Sequence, residues 1–85
     1  MTEAQIQTKI KNRLTQRGWL VTKLVATSTN GWPDLLAIKD GRVIFIEVKK
    51  PDGRVSGVQA MRHKMLKMQG AEVFIMTDVI EVEGL

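Results

Sequence analysis

The chain has no cysteine, which excludes a disulfide framework and a thiolate metal centre and accords with a reducing cytosol. No apolar run approaches the ~18–20 residues a membrane span needs, so no membrane partner is expected. The opening residues, Met1-Thr2-Glu3-Ala4, include no basic segment leading into an apolar stretch, so a secretory leader is not expected and cytoplasmic residence is. Internal repeats and low-complexity tracts are also missing. What is present is 85 residues, 44 % of them hydrophobic, with a mean hydropathy of -0.08. That length predicts one domain, residues 1–85, able to bury about 60–65 % of its unfolded surface. The formal net charge of +4 and pI of about 9.8 suit a polyanionic partner such as nucleic acid, and serve plain solubility equally well.

The residue pattern predicts helix, strand, strand, strand, helix, strand. Thr2 caps a first helix from Glu3 to Arg17, with Gln5 at the capping-box position. Ile6, Ile10 and Leu14 form its buried stripe, and Gly18 stops it. Trp19 to Val25 reads as strand one, followed by the polar loop Thr27-Ser28-Thr29-Asn30-Gly31. Strand two covers Asp34 to Ile38 and strand three Arg42 to Lys49. Pro51-Asp52-Gly53 breaks the chain; Ser56 and Gln59 then form a second capping box. The second helix ends near Gln69-Gly70, and Glu72 to Thr77 is a final strand. Leu35-Leu36 and Ile44-Phe45-Ile46 are nearly continuous apolar runs, which predicts a sheet covered by helices on both faces. The stripe of Val58, Met61, Met65 and Met68 reads as core. The fold class expected is therefore α/β, a mixed sheet flanked by helices in the order αβββαβ.

The most informative element is the hairpin. Asp40-Gly41 between apolar runs signals a two-residue type I′ turn. With those two residues in the turn, Lys39 faces Arg42, Ile38 faces Val43, and Asp34 faces Glu47. Carboxylates directly opposite each other have Cβ atoms roughly 4.5–5.5 Å apart and repel; a bound cation removes the penalty. Lys49, two residues past Glu47, projects from the same face. Glu47 and Lys49 interrupt an apolar strand, where uncompensated charge is costly to bury. Asp34 and Glu47 offer hard oxygen ligands for Mg²⁺ or Mn²⁺, and the Val48 carbonyl is a candidate third ligand. Such an ion polarises a phosphate and acidifies a water, while Lys49 orients that water or stabilises charge developing on the phosphate. This set suits metal-dependent phosphodiester hydrolysis. A surface ion pair across the hairpin is the bland alternative.

Other residues are two-sided. Glu3 falls within the apolar stripe of the first helix, either as a further carboxylate near the metal or as an acid satisfying the helix dipole. Gln59 caps its own helix or reaches into the site. Arg62, on the same side as Gln59, contacts a phosphate oxygen or lies over the core with its charge in water. Lys50 and Arg54 adjoin the site and are the preferred DNA backbone contacts. Lys9, Arg13 and Arg17 on the first helix, and His63, Lys64 and Lys67 on the second, are basic groups that a solvated face explains as well. His63 stands apart from any other chemical group in sequence and receives no catalytic role. Trp32 stacks on a base or packs.

The acid after proline, the hairpin and the Glu-x-Lys resemble the PD-(D/E)xK nuclease superfamily. More narrowly, Glu3, Gly31-x-Pro33-Asp34, Glu47-Val48-Lys49 and Gln59 resemble the virus-type replication-repair nuclease (VRR-Nuc) family over nearly the whole chain. That resemblance implies a restriction-endonuclease-like fold and Mg²⁺- or Mn²⁺-dependent endonuclease activity. It implies Asp34, Glu47 and Val48 on the metal, Lys49 at the attacking water, and support from Glu3 and Gln59. Small members of the family, typical of bacteriophages, are similar to Holliday junction resolvases and act as homodimers, which implies branched DNA such as a four-way junction as substrate and a host cytoplasm for a phage-encoded chain. A C2 dimer presents two equivalent sites to a junction of approximate two-fold symmetry. The alternatives are a non-catalytic nucleic-acid-binding module, a flap- or fork-type nuclease, and a sequence-specific nuclease, for which an 85-residue chain leaves little room.

Overall fold

Two capping boxes set where the helices begin. The Gln5 N–H donates to Thr2 Oγ1 at 3.1 Å and the Thr2 N–H to Gln5 Oε1 at 2.8 Å; Ser56 and Gln59 repeat the exchange at 3.1 and 3.0 Å. Each box satisfies two helix-terminal donors that have no partner within the helix. The computed structural model describes residues 1–85 in the order α1 (Glu3–Gln16), β1 (Leu20–Lys23), β2 (Leu35–Lys39), β3 (Arg42–Val48), α2 (Gly57–Met68), β4 (Glu72–Met76) and a closing 3₁₀ helix (Val79–Gly84). The six principal elements are those the pattern predicts, displaced by one or two residues at their ends. The 3₁₀ helix is an addition: its six residues are too few to carry a readable period, and Asp78 caps it.

The sheet order is β1-β2-β3-β4. The first two pairings are antiparallel; β3 and β4 are parallel, with α2 as the crossover. Asp40 and Gly41 both have positive φ, 50° and 79°, the conformation a type I′ turn needs. The register follows, with Lys39 opposite Arg42 and Leu35 opposite Ile46, as the Asp-Gly turn predicts.

The two faces of this sheet differ. Ile6, Ile10 and Leu14 of α1 pack on Leu35, Ala37, Ile44, Ile46 and Val48, joined by Trp19, Met76 and Val82. Burial of each of the larger aliphatic side chains among them contributes about 1.5–3 kcal/mol, so α1 and this face form the core. Alternation sends Val43, Phe45 and Glu47 to the opposite face, which α2 covers. Coverage there is thin: Leu36 and Phe45 are half-buried, while Ile38, Val43 and Ile75 are exposed. The expected helices flank both faces, α1 covering its face closely and α2 its face thinly.

The methionine stripe is also corrected. Met61 and Met65 are 55 % and 47 % exposed, and Val58 and Met68 are exposed as well. The side of α2 turned to the sheet carries Gln59, His63 and Leu66 instead, spaced i, i+4, i+7. The reason lies in what they meet. Glu47 occupies that face of β3, and a carboxylate removed from water needs hydrogen-bond donors, which a methionine cannot supply.

Candidate active site

Asp34 is held by its main chain and its side chain at once. The Leu24 N–H donates to the Asp34 carbonyl at 2.8 Å, extending the β1–β2 ladder by one residue. The Val48 N–H donates to Asp34 Oδ2 at 2.7 Å. Continued past Leu35–Ile46, the register sets Pro33 opposite Val48, and proline has no N–H to offer the Val48 carbonyl. The Asp34 side chain takes the Val48 N–H, and that carbonyl is left without a ladder donor.

Glu47 lies beside Asp34 and is 1 % exposed. Three donors surround it. Lys49 Nζ is 3.5 Å from Oε2, Gln59 Nε2 donates to Oε2 at 3.3 Å, and His63 Nε2 is 3.4 Å from Oε1. Burial, and then the neighbouring Asp34 charge, push the Glu47 carboxyl up to about 7, against the opposing pull of Lys49. Burial, followed by the charge of Lys67, lowers the His63 imidazole from its ordinary value. Glu47 Oε1 and His63 Nε2 are both buried and without a hydrogen bond of good geometry.

The residues singled out in the sequence are distributed as follows. Asp34, Glu47, Val48, Lys49 and Gln59 come together at the end of the hairpin under the first turn of α2. Gln59 both caps and reaches: its Oε1 accepts from Ser56, which turns its Nε2 to Glu47. Glu3 opens α1, which packs on the other face of the sheet; it is half-buried and makes no side-chain hydrogen bond to the other site residues. Lys50 and Arg54 are exposed on the loop after β3. The Arg62 Nε–H donates to the Asn30 carbonyl at 3.1 Å, and its guanidinium lies 5.9 Å from the Trp32 ring centre. Arg62 thus braces the loop that delivers Asp34. Trp32 packs, with its ring 5.9 Å from Phe45 and its Nε1–H on Thr29. Gly31 makes this closeness possible: a Cβ there would stand 2.6 Å from the Val58 carbonyl oxygen, and its φ is +86°. Arg13 and Arg17 are held by Glu83, which takes them from the set of free basic groups.

His63, which the sequence reading set apart from the site, stands against Glu47. Taken alone it has no chemical neighbour; taken as the residue one turn after Gln59 it shares that side chain's face. That spacing was the available signal.

The donor set fits a hard divalent cation. Glu47 Oε1 is an orphaned buried acceptor, the second Asp34 oxygen makes no hydrogen bond within the chain, and the Val48 carbonyl lacks a ladder partner. No three His, Asp or Glu side chains are arranged to hold an ion by themselves. The fit is therefore to an ion that takes few protein ligands and completes its shell with water and phosphate oxygens, as Mg²⁺ does. No helix is long and apolar enough to cross a membrane.

Comparison with known proteins gives the family and the fold. The family model described as archaeal Holliday junction resolvase (hjc) matches residues 4–78. A curated relative, "Putative nuclease p44" of Acyrthosiphon pisum secondary endosymbiont phage 1, is 28 % identical over 75 residues, covering 87 % of this chain and 81 % of that one. A solved structure titled "VRR_NUC domain" is 31 % identical with a TM-score of 0.87, covering 100 % of this chain and 94 % of that one. The αβββαβ arrangement is thus a PD-(D/E)xK-like nuclease fold.

Proposed function

From the premise that the chain belongs to the archaeal Holliday junction resolvase (Hjc) family, we propose that residues 1–85 form one nuclease domain of the VRR-Nuc type, a Mg²⁺- or Mn²⁺-dependent endonuclease that cuts four-way or otherwise branched DNA in the cytoplasm. One observation carries this reading: Asp34, Glu47 and Lys49 meet at one end of the sheet, with Glu47 buried and its Oε1 unpartnered.

Asp34, Glu47 and the Val48 carbonyl hold the cation, which supplies charge neutralisation at the scissile phosphate and a more acidic water. Lys49 stands beside Glu47 and holds the attacking water or the phosphate oxygen by a charge-assisted hydrogen bond. Gln59 steadies the Glu47 carboxylate, and Glu3 supports the site from the α1 side through water. Lys50 and Arg54 meet the DNA backbone next to the cut, and Arg62 adds a phosphate contact at the rim of the loop it braces. The protein acts as a homodimer, and the exposed apolar side chains Met61, Met65 and Ile75 are the surface on offer for pairing.

Cleavage of a labelled four-way junction in Mg²⁺ or Mn²⁺, with loss of cleavage in Asp34→Asn and Lys49→Ala, tests the assignment. No cleavage with either ion across a range of salt refutes it. Parallel duplex and flap substrates separate a resolvase from flap-type or sequence-specific cutting. A second reading is a non-catalytic module that binds branched DNA. Calorimetric titration with Mn²⁺ separates the two, because only the enzyme binds the ion and loses it on Glu47→Gln.

A further inference from the structure

His63 is buried at 5 % exposure on the helix face that covers the site, yet the proposed chemistry gives it no task. Its Nε2 has no hydrogen bond of good geometry, and neither does the atom it faces, Glu47 Oε1, at 3.4 Å. Two buried polar atoms that are each other's nearest opportunity are a pair one small rotation short of a bond, and burial makes leaving them apart costly. The opposite oxygen of the same carboxylate already has two donors, Gln59 Nε2 at 3.3 Å and Lys49 Nζ at 3.5 Å. Gln59 and His63 lie one helical turn apart on α2, so one rigid element presents a donor to each oxygen of Glu47.

We propose that His63 is a positioning residue for the Glu47 carboxylate: its Nε2–H donates to Oε1 and, with Gln59 on Oε2, fixes the plane in which the carboxylate meets the divalent cation. This rests on the metal-dependent reading above. A carboxylate gripped at both oxygens loses the freedom to rotate, and Oε1, with a single donor, keeps a lone pair for an ion. Removing an outer-shell partner of this kind typically costs 10–100-fold in metal affinity.

The test is Mn²⁺ titration by calorimetry and electron paramagnetic resonance on the full chain, His63→Gln and His63→Leu. Gln retains a nitrogen donor near the position of Nε2; Leu fills the space without one. The expected result is Mn²⁺ affinity about tenfold weaker or more in His63→Leu, largely restored in His63→Gln, with metal-free junction binding little changed in both. Equal affinity in wild type and His63→Leu overturns the positioning role while leaving the nuclease reading intact. Failure of the wild type itself to bind Mn²⁺ defeats that reading and the role resting on it. Two measurements on the wild-type protein hold even if His63→Leu does not fold. ¹⁵N-histidine NMR is expected to show a slowly exchanging proton on Nε2, and a proton on Nδ1 alone refutes the bond. A direct ¹⁵N coupling to bound Mn²⁺ makes His63 a ligand and overturns the proposal.

Discussion

The two faces of one sheet do different work. The α1 face is dry and apolar, with Ile10, Leu14, Leu35, Ala37, Ile44 and Ile46 fully buried. The α2 face buries Glu47 and His63 and leaves Met61, Met65, Val43 and Ile75 to solvent. Successive β3 residues serve opposite purposes: Ile44, Ile46 and Val48 supply packing to one helix, while Phe45 and Glu47 look to the other. Strand alternation allows a seven-residue strand to do both at a small domain's scale. Stability concentrates on the face without charge, and the other tolerates a buried carboxylate because α1 has already anchored the sheet.

The contrast breaks most visibly at Glu47. Glu47→Gln is expected to lower junction cleavage by about 10²–10³-fold, the scale of losing one directly acting electrostatic group, and to abolish Mn²⁺ binding measured calorimetrically. The same substitution is expected to stabilise the metal-free protein above neutral pH. In the fold Glu47 is held at about 7, against 4.5 for the free group. Between those values the folded chain keeps a proton that the unfolded chain has released, so this contribution is fully present below pH 4.5 and is lost as pH rises through 7. His63, held below its ordinary 6.5, acts in the opposite sense: its contribution is present above that pH and is lost as pH falls. Urea unfolding against pH is expected to show the falling slope in wild type only, with Glu47→Gln exposing the His63 term alone.

Next in size is Leu14→Ala on the dry face, expected to cost about 2–5 kcal/mol by chemical denaturation. Gly31→Ala follows at roughly 1–3 kcal/mol, since the added carbon meets the Val58 carbonyl at a positive φ; it should also lower cleavage by shifting the loop that carries Asp34. Met65→Ala on the thin face closes the series at under about 1 kcal/mol, because a half-exposed side chain leaves little cavity behind. A Met65→Ala cost equal to that of Leu14→Ala would erase the distinction between the faces.

Most of the candidate site's geometry was legible because it is local. Asp40-Gly41 dictates the turn, the turn dictates the register, and the register brings residue 34 to residue 47; both capping boxes follow from three-residue spacings. The α2 orientation was not legible in the same way. Its sequence holds two competing stripes, one of methionines and one of Gln59, His63 and Leu66, and hydropathy favours the wrong one. The capture of Arg13 and Arg17 by Glu83 joins the two ends of the chain, a pairing that no local pattern encodes.

By itself the amino-acid order determined the hairpin, its facing carboxylates and the αβββαβ sequence of elements, since each depends on neighbours within a few residues whose backbone preferences are strong. Only the tertiary structure decided which side of α2 turns inward, that Gln59 spends both ends of its amide, and that His63 stands against Glu47. Those outcomes depend on what a helix meets after it docks, where satisfying a buried carboxylate outweighs covering four apolar side chains.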